Sequence, residues 1–205
     1  MASAARKPRM TPEEFFAWEA EQLHKHEYYY GEVFPTGAAA EITPENMAGG
    51  SISHALISTN AAVGIGSQLR GGTRRMFSSD LAVELDNAGH YVYPDLTVVC
   101  GTVETGRSPH VATNPTLVLE VLSPSTEKWD RGGKFEAYRR LPSLQTVVFV
   151  ASTWRRVEVF TREGNSWRLA EPGDEGTVAL GEIPAELSLA TIYDGVDLPD
   201  RPPAP

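Results

Sequence analysis

Hydrophobic positions change their period several times along this chain, and each change marks an element. Over residues 10–25, Thr11 stands before Pro12, Glu13 and Glu14. A capping hydroxyl, a proline in the first turn and acids at the positive dipole end predict a first helix there. Residues 28–34 are aromatic and β-branched and predict a short strand. The following stretch, 35–50, has prolines, glycines and small residues without periodicity and reads as a surface excursion. Over 51–69, Ile52, Leu56, Ala62, Val63, Ile65 and Leu69 recur at roughly helical spacing, with Gly71 and Gly72 available to end a second helix. The pattern then alternates over 76–85 and 91–99, separated by Asp86, Asn87, Ala88 and Gly89, which is a hairpin signal.

Residues 116–122, TLVLEVL, form an apolar run interrupted by one glutamate, as expected of a strand buried on both faces. Ser125 or Thr126 can cap a third helix over 127–141, and 144–151 reads as another strand. Residues 156–162 and 167–170 alternate as an antiparallel pair turned by Glu163, Gly164 and Asn165. The order from Ser51 is helix, three strands, helix, strand. This predicts an α/β domain with an αβββαβ core: a central mixed sheet flanked by helices, an N-terminal helix and strand, and a C-terminal antiparallel extension. Residues 11–195 form one domain in this reading, between a disordered terminus over 1–10 and a proline-rich tail over 196–205.

Composition agrees with such a domain: the hydrophobic share is 41% and the charged share 22%, those of an ordinary globular protein. The single cysteine, Cys100, rules out an internal disulfide and fits a reducing cytoplasm, where we expect the protein. MASAARKPRM is basic but no apolar run follows it, so neither a signal peptide nor a membrane span is expected there. The net charge of −9 gives no bulk attraction to a phosphate backbone, so any nucleic-acid partner has to be met by a local basic face or by metal ions.

The candidate chemistry lies in the acids that break apolar strands. A carboxylate inside such a strand is costly to desolvate unless it is paired, hydrogen-bonded or bound to a cation. Glu120 is one; Asp95, in YVYPDLTVV, is a second on an expected neighbouring strand. Together they suggest an oxygen-ligand site of the kind Mg²⁺ prefers alongside substrate phosphate. Taken alone, Glu120 is equally explained by a buried ion pair with Lys134 or Arg131. Two such acids followed by a lysine on the next helix favour function over packing.

These residues fall in an ordered series of segments, YYYGEV, SISH, FSSDLAVEL, YPDLTVV, LVLEVLSPST, DRGGK and AYRRLPSL, which resembles the Uma-two family of restriction endonuclease-like proteins over roughly residues 11–195. The resemblance places the chain in the PD-(D/E)XK superfamily. It implies Asp95 and Glu120 as the paired acids, with Leu122 where the superfamily lysine usually stands and Lys134 on the helix in its role. It further implies that Asp95, Glu120 and the Val121 carbonyl hold Mg²⁺, for which Mn²⁺ can substitute, and that cleavage leaves a 5′-phosphate and a 3′-hydroxyl. Glu32 and His54 occupy recurrent family positions near the expected cleft, and Asp80 is a further cleft candidate; a solvated glutamate, a helix-wall histidine and an aspartate that ties the first core strand to a neighbouring backbone are the plainer readings.

Arg74 and Arg75, and after them Arg139 and Arg140, are candidates for phosphate contact, against the plainer reading of helix-terminal cations. The expected activity is Mg²⁺-dependent hydrolysis of DNA, with a homodimer if duplex is cut. The alternatives are an inactive nuclease-fold binding or assembly module, and a hydrolase of small phosphodiesters.

Overall fold

The computed structural model describes residues 9–36, 51–86, 89–172 and 176–198. Most of the excursion expected at 35–50, of the 1–10 terminus and of the 196–205 tail lies outside them.

Helix α1 (Pro12–Glu19) starts where Thr11 predicts, with a full capping box: Thr11 Oγ accepts from the Glu14 N–H while the Glu14 carboxylate accepts from the Thr11 N–H. It stops well short of the expected Lys25, because residues 20–24 bury no side chain that could hold another turn against the core. The single strand expected at 28–34 is a hairpin, β1 (His26–Tyr29) and β2 (Glu32–Pro35), joined by Tyr30 and Gly31. Both joining residues have positive φ, 51° and 83°, the geometry of a two-residue type I′ turn.

The hairpin expected from 76–85 and 91–99 is also corrected, since each long strand breaks in two. The segments are β3 (Arg74–Ser78), β4 (Ala82–Asp86), β5 (His90–Val92) and β6 (Leu96–Cys100). The first break is a turn in which the Leu81 N–H donates to the Ser78 carbonyl. The second is Tyr93–Pro94–Asp95, where the proline has no N–H for a ladder. The outer halves β3 and β6 pair in the central sheet, while β4 and β5 form a hairpin in a second sheet.

With β7 (Val111–Ala112), β8 (Leu117–Leu122), β9 (Thr146–Ala151), β10 (Val157–Glu163) and β11 (Ser166–Ala170), the central sheet runs β11-β10-β9-β8-β6-β3 and the second β2-β1-β5-β4-β7. In the central sheet β8 and β9 are parallel and the other pairs antiparallel, so the sheet is mixed as expected. A separate two-stranded sheet, β12 (Thr177–Leu180) and β13 (Ile183–Ser188), with the short helix α5 (Leu189–Ile192), was not expected from the sequence.

Two helical layers cover the central sheet. On one face lies α2 (Ile52–Gln68), N-capped by Ser51, which buries Ile57, Ala61 and Ile65 in a core shared with Leu96, Leu119 and Val121. The buried stripe is shifted from the expected one: Ile52 is 82% and Val63 65% exposed. On the other face α3 (Glu127–Trp129), a π-helical turn (Asp130–Lys134) and α4 (Phe135–Arg140) run on as one kinked stretch, with Ala137 and Tyr138 packed on Val118, Leu122 and Phe149. The expected third helix is therefore present but interrupted, at Gly132 (φ −97°, ψ −106°). The succession α2, β3, β6, β8, α3–α4, β9 is the restriction endonuclease-like αβββαβ core, with the β4–β5 hairpin and β7 inserted between its strands.

Candidate active site

All six residues of β8 are buried, and Glu120 is the one whose burial removes a charge from water. Its partners come from the helical stretch above it. Lys134 Nζ lies 2.8 Å from Glu120 Oε1, and the Tyr138 hydroxyl donates to the same oxygen at 2.5 Å. Lys134 and Tyr138 are four residues apart, one helical turn, which brings both to a single face. The same ammonium also reaches Glu27 Oε1 on β1 at 2.9 Å and Asp130 Oδ1 at 3.5 Å. The Trp129 indole N–H donates to Glu27 Oε2 at 3.1 Å. Gly133 permits that: a Cβ there would lie 2.4 Å from the Trp129 ring.

Asp95 follows the Pro94 break and immediately precedes β6, the hydrogen-bonded neighbour of β8. Its Oδ2 accepts from the Val121 N–H at 2.7 Å, which fixes the carboxylate beside the residue that follows Glu120. Its Oδ1 faces His54 Nε2, on α2, at 3.4 Å.

The charges of the cluster do not balance, for three carboxyl groups share one buried ammonium. Burial pushes Lys134 down, but Glu120, Glu27, Tyr138 and Asp130 together hold it well above its usual value, so it keeps its proton. The surplus falls on the acids. Burial raises Glu120 to about 8 against the pull of Lys134, with Asp130 and Asp95 adding to the rise, and burial likewise raises Asp130. Burial raises the Tyr138 hydroxyl too, helped by the charge of Glu120, so it remains a donor. His54 is pushed down by burial, but the hydrogen bond and charge of Asp95, with Asp130 and the Val121 carbonyl, move it upward overall.

The structure thus brings Asp95, Glu120, Lys134, Val121 and His54 together. Glu32 is exposed on β2, opposite Tyr29 and on the Glu27 face of the hairpin, at the rim rather than in the cluster. Asp80 lies in the β3–β4 turn, bound to Lys25 and to the Ser78 hydroxyl. Arg74 and Arg75 pair with Cys100 and Val99, whereas Ser78 pairs with Leu96. That places them roughly 10–13 Å along the strand from the Asp95 end, at about 3.3 Å per residue. Arg75 donates to the Gly101 carbonyl, and Arg140 is held by Glu136. Arg131 pairs with Glu127 and Glu158, not with Glu120.

Glu27, Asp130, Trp129 and Tyr138 were not assigned to the site from the sequence. Glu27 fell one residue outside the strand expected at 28–34, which hid the signal used for Glu120, and Asp130 and Tyr138 stand four residues to either side of Lys134.

The donors are oxygens, as a hard divalent cation requires. Among the described residues no three His, Cys, Asp or Glu side chains are grouped so as to hold a metal by themselves. Asp95 and Glu120 with the Val121 carbonyl fit an ion of the Mg²⁺ type, which keeps waters and takes one or two carboxylates plus substrate phosphate. The excess of carboxyl groups over cations around Glu120 fits the same ion.

The profile of Uma2, described as "Putative restriction endonuclease", matches residues 12–191. The chain is 33% identical over 190 residues to the uncharacterised protein slr1290 of Synechocystis sp., covering 92% of this chain and 94% of that protein. It is 29% identical over 164 residues to sll1609 of the same organism, covering 79% and 86%. Among solved structures, a protein of Anabaena variabilis described as "a putative nuclease belonging to DUF820" superposes with a TM-score of 0.67 at 16% identity, over 90% of this chain and 97% of that one. At that identity the likeness is one of fold.

Proposed function

This chain belongs to the Uma2 family, and from that membership and the geometry of its acidic cluster we propose that it is a metal-dependent endonuclease hydrolysing DNA phosphodiester bonds. The observation that carries the reading is the convergence of Asp95 and Glu120 from adjacent strands, linked through the Val121 N–H, with Lys134 2.8 Å from Glu120.

Asp95, Glu120 and the Val121 carbonyl are the groups to hold Mg²⁺, which when bound supplies the positive charge that polarises phosphate and acidifies water. The remaining work belongs to the chain. The Val121 N–H orients Asp95. Tyr138 and Lys134 hold Glu120 in one rotamer. The Lys134 ammonium, kept charged by its three acids, stabilises charge developing on the phosphate. Glu27 and Asp130 position that ammonium, and the Trp129 indole positions Glu27.

A second reading has an observation of its own: Lys134 is 3% exposed and engaged by three carboxylates, as in a purely structural ion cluster. A plasmid and oligonucleotide cleavage assay with Mg²⁺, Mn²⁺ or EDTA, alongside melting curves under the same conditions, separates the two. Metal-dependent cleavage with a metal-dependent rise in Tm supports the nuclease. A Tm indifferent to metal and an absence of cleavage support the structural cluster.

A further inference from the structure

The β1–β2 hairpin carries more aromatic surface than its packing uses. Tyr30 occupies the first central position of a type I′ turn, where asparagine, aspartate or glycine is favoured because φ is positive. A tyrosine there is strained, and strain held by the fold points toward function. The residue is 56% exposed, its ring braced edge-on by His90 at 3.9 Å and by Tyr29 at 4.7 Å. Phe34 on β2 is also exposed and pairs with Glu27, so it lies on the hairpin face that carries Glu27 and Tyr29. Tyr29 meets Trp129 edge-on at 5.3 Å, and Trp129 holds Glu27 beside Lys134. The exposed rings are therefore linked to the acidic cluster by a short chain of direct contacts. Arg9 lies across the turn: a Cβ on Gly31 would stand 3.0 Å from the Arg9 Cβ, so Gly31 admits the arginine stem beside the aromatic tip.

We propose that this hairpin is a nucleobase-stacking platform, on which Tyr30 and Phe34 receive unpaired bases next to the scissile phosphate while Arg9 meets the backbone. The proposal rests on the nuclease reading and deepens it by naming the substrate class, DNA with a single-stranded segment. Charge argues for the same class. With a net charge of −9, and Glu32 and Asp86 beside the turn, phosphate contacts alone give little affinity. Stacking needs no net charge, accepts any base, and needs bases free of their duplex partners.

The test pairs binding with cleavage. Anisotropy in EDTA compares a labelled single strand, an abasic strand of the same length and a blunt duplex, for the wild type, Tyr30→Asn and Phe34→Ser. The expected result is a wild type that prefers the base-bearing strand to the abasic one by about tenfold or more, the range of base–aromatic stacking. Tyr30→Asn and Phe34→Ser each remove much of that preference and leave abasic binding unchanged. Tyr30→Asn holds or raises Tm, since asparagine suits the turn. A fall in Tm with unaltered binding means that the ring only packs on His90, and overturns the proposal. A wild type that cleaves DNA with Mg²⁺ yet binds base-bearing and abasic strands alike overturns the platform and leaves the nuclease standing. Failure to cleave single-stranded, gapped or duplex DNA overturns both.

Discussion

Two buried glutamates stand in one row of the central sheet, on either side of Phe149, and the balance of charge around them differs. Glu120 on β8 and Glu158 on β10 both pair in register with Phe149, and both are 4% exposed. Around Glu158 cations are plentiful. Arg131 and Arg156 both reach it, the latter at 3.0 Å, and each is held by a second acid, Glu127 at 2.7 Å and Glu171 at 2.5 Å. Burial lowers Arg131, but Glu158 and Glu127 more than offset it. The Arg131 guanidinium also lies over the Phe149 ring, 5.5 Å from its centre. Around Glu120 a single ammonium faces three carboxyls, and Asp95 stands just before the next strand. A buried carboxylate is therefore no marker of chemistry by itself. The balance of charge around it separates a closed ion-pair network from a site that still calls for a cation.

The sharpest way to break this contrast is to neutralise each glutamate in turn. Glu120→Gln should lower Mg²⁺-dependent cleavage by about a thousandfold, the upper range for removing one preorganised electrostatic group. Its Tm at neutral pH should change little, because the carboxyl it replaces already holds a proton there and the amide keeps its volume. Glu158→Gln should do the opposite: cleavage close to wild type, but stability lower by about 1–3 kcal/mol, since two partly exposed arginines lose a shared partner. Urea unfolding beside initial cleavage rates reads both. The same loss of activity in both variants would remove the distinction.

Lys134→Ala should lose about a hundredfold in cleavage while binding Mn²⁺ at least as tightly as the wild type, because the ammonium acts on phosphate and the acids retain the ion. Calorimetric titration with Mn²⁺ checks it; loss of metal affinity in step with activity would make Lys134 part of the ion's holding geometry. Adding Leu122→Lys to that variant puts an ammonium where the superfamily usually carries it and should recover part of the lost rate if the protein still folds, a severe test of packing because Leu122 is buried against α4.

A smaller effect follows from protonation. Burial holds the Glu120 carboxyl at about 8 instead of 4.5, so the native state keeps a proton that the unfolded chain has already lost. The contribution of this group to stability is thus full below about 4.5 and declines as pH rises towards 8. An ion taking this carboxylate must displace the proton. Metal affinity should rise with pH, by about fiftyfold between pH 6 and pH 8, and then level off. Titrations at neutral pH in two buffers of different ionisation enthalpy should show proton release; a pH-independent affinity would mean that Glu120 is already ionised. Smallest of all, Arg74→Ala with Arg75→Ala should change cleavage by less than about threefold, because both lie at the far end of β3 from Asp95. A larger loss would extend the substrate path along that edge strand.

The sequence by itself determined the order of the core elements, the acids that interrupt apolar strands and the lysine that returns to one of them, because each is a local violation of a local pattern. Thr11, Ser51 and Glu120 could be read with a few neighbours in view. It could not show that the two long alternating runs break at Ser79–Leu81 and at Pro94 and divide between two sheets, since both halves of each keep the same period. Nor could the exposed stripe of α2 be told from its buried one, because Ile52 and Val63 are as apolar as Ile57 and Ile65. Only the tertiary structure decided that Glu27, far from Lys134 in the chain, shares its ammonium, and that a π turn at Asp130–Lys134 aims both of its charged ends inward. It also left Arg131 on Glu158 and not on Glu120. Counting charges around a buried group requires knowing which strands lie side by side, and that information exists only once the sheet has closed.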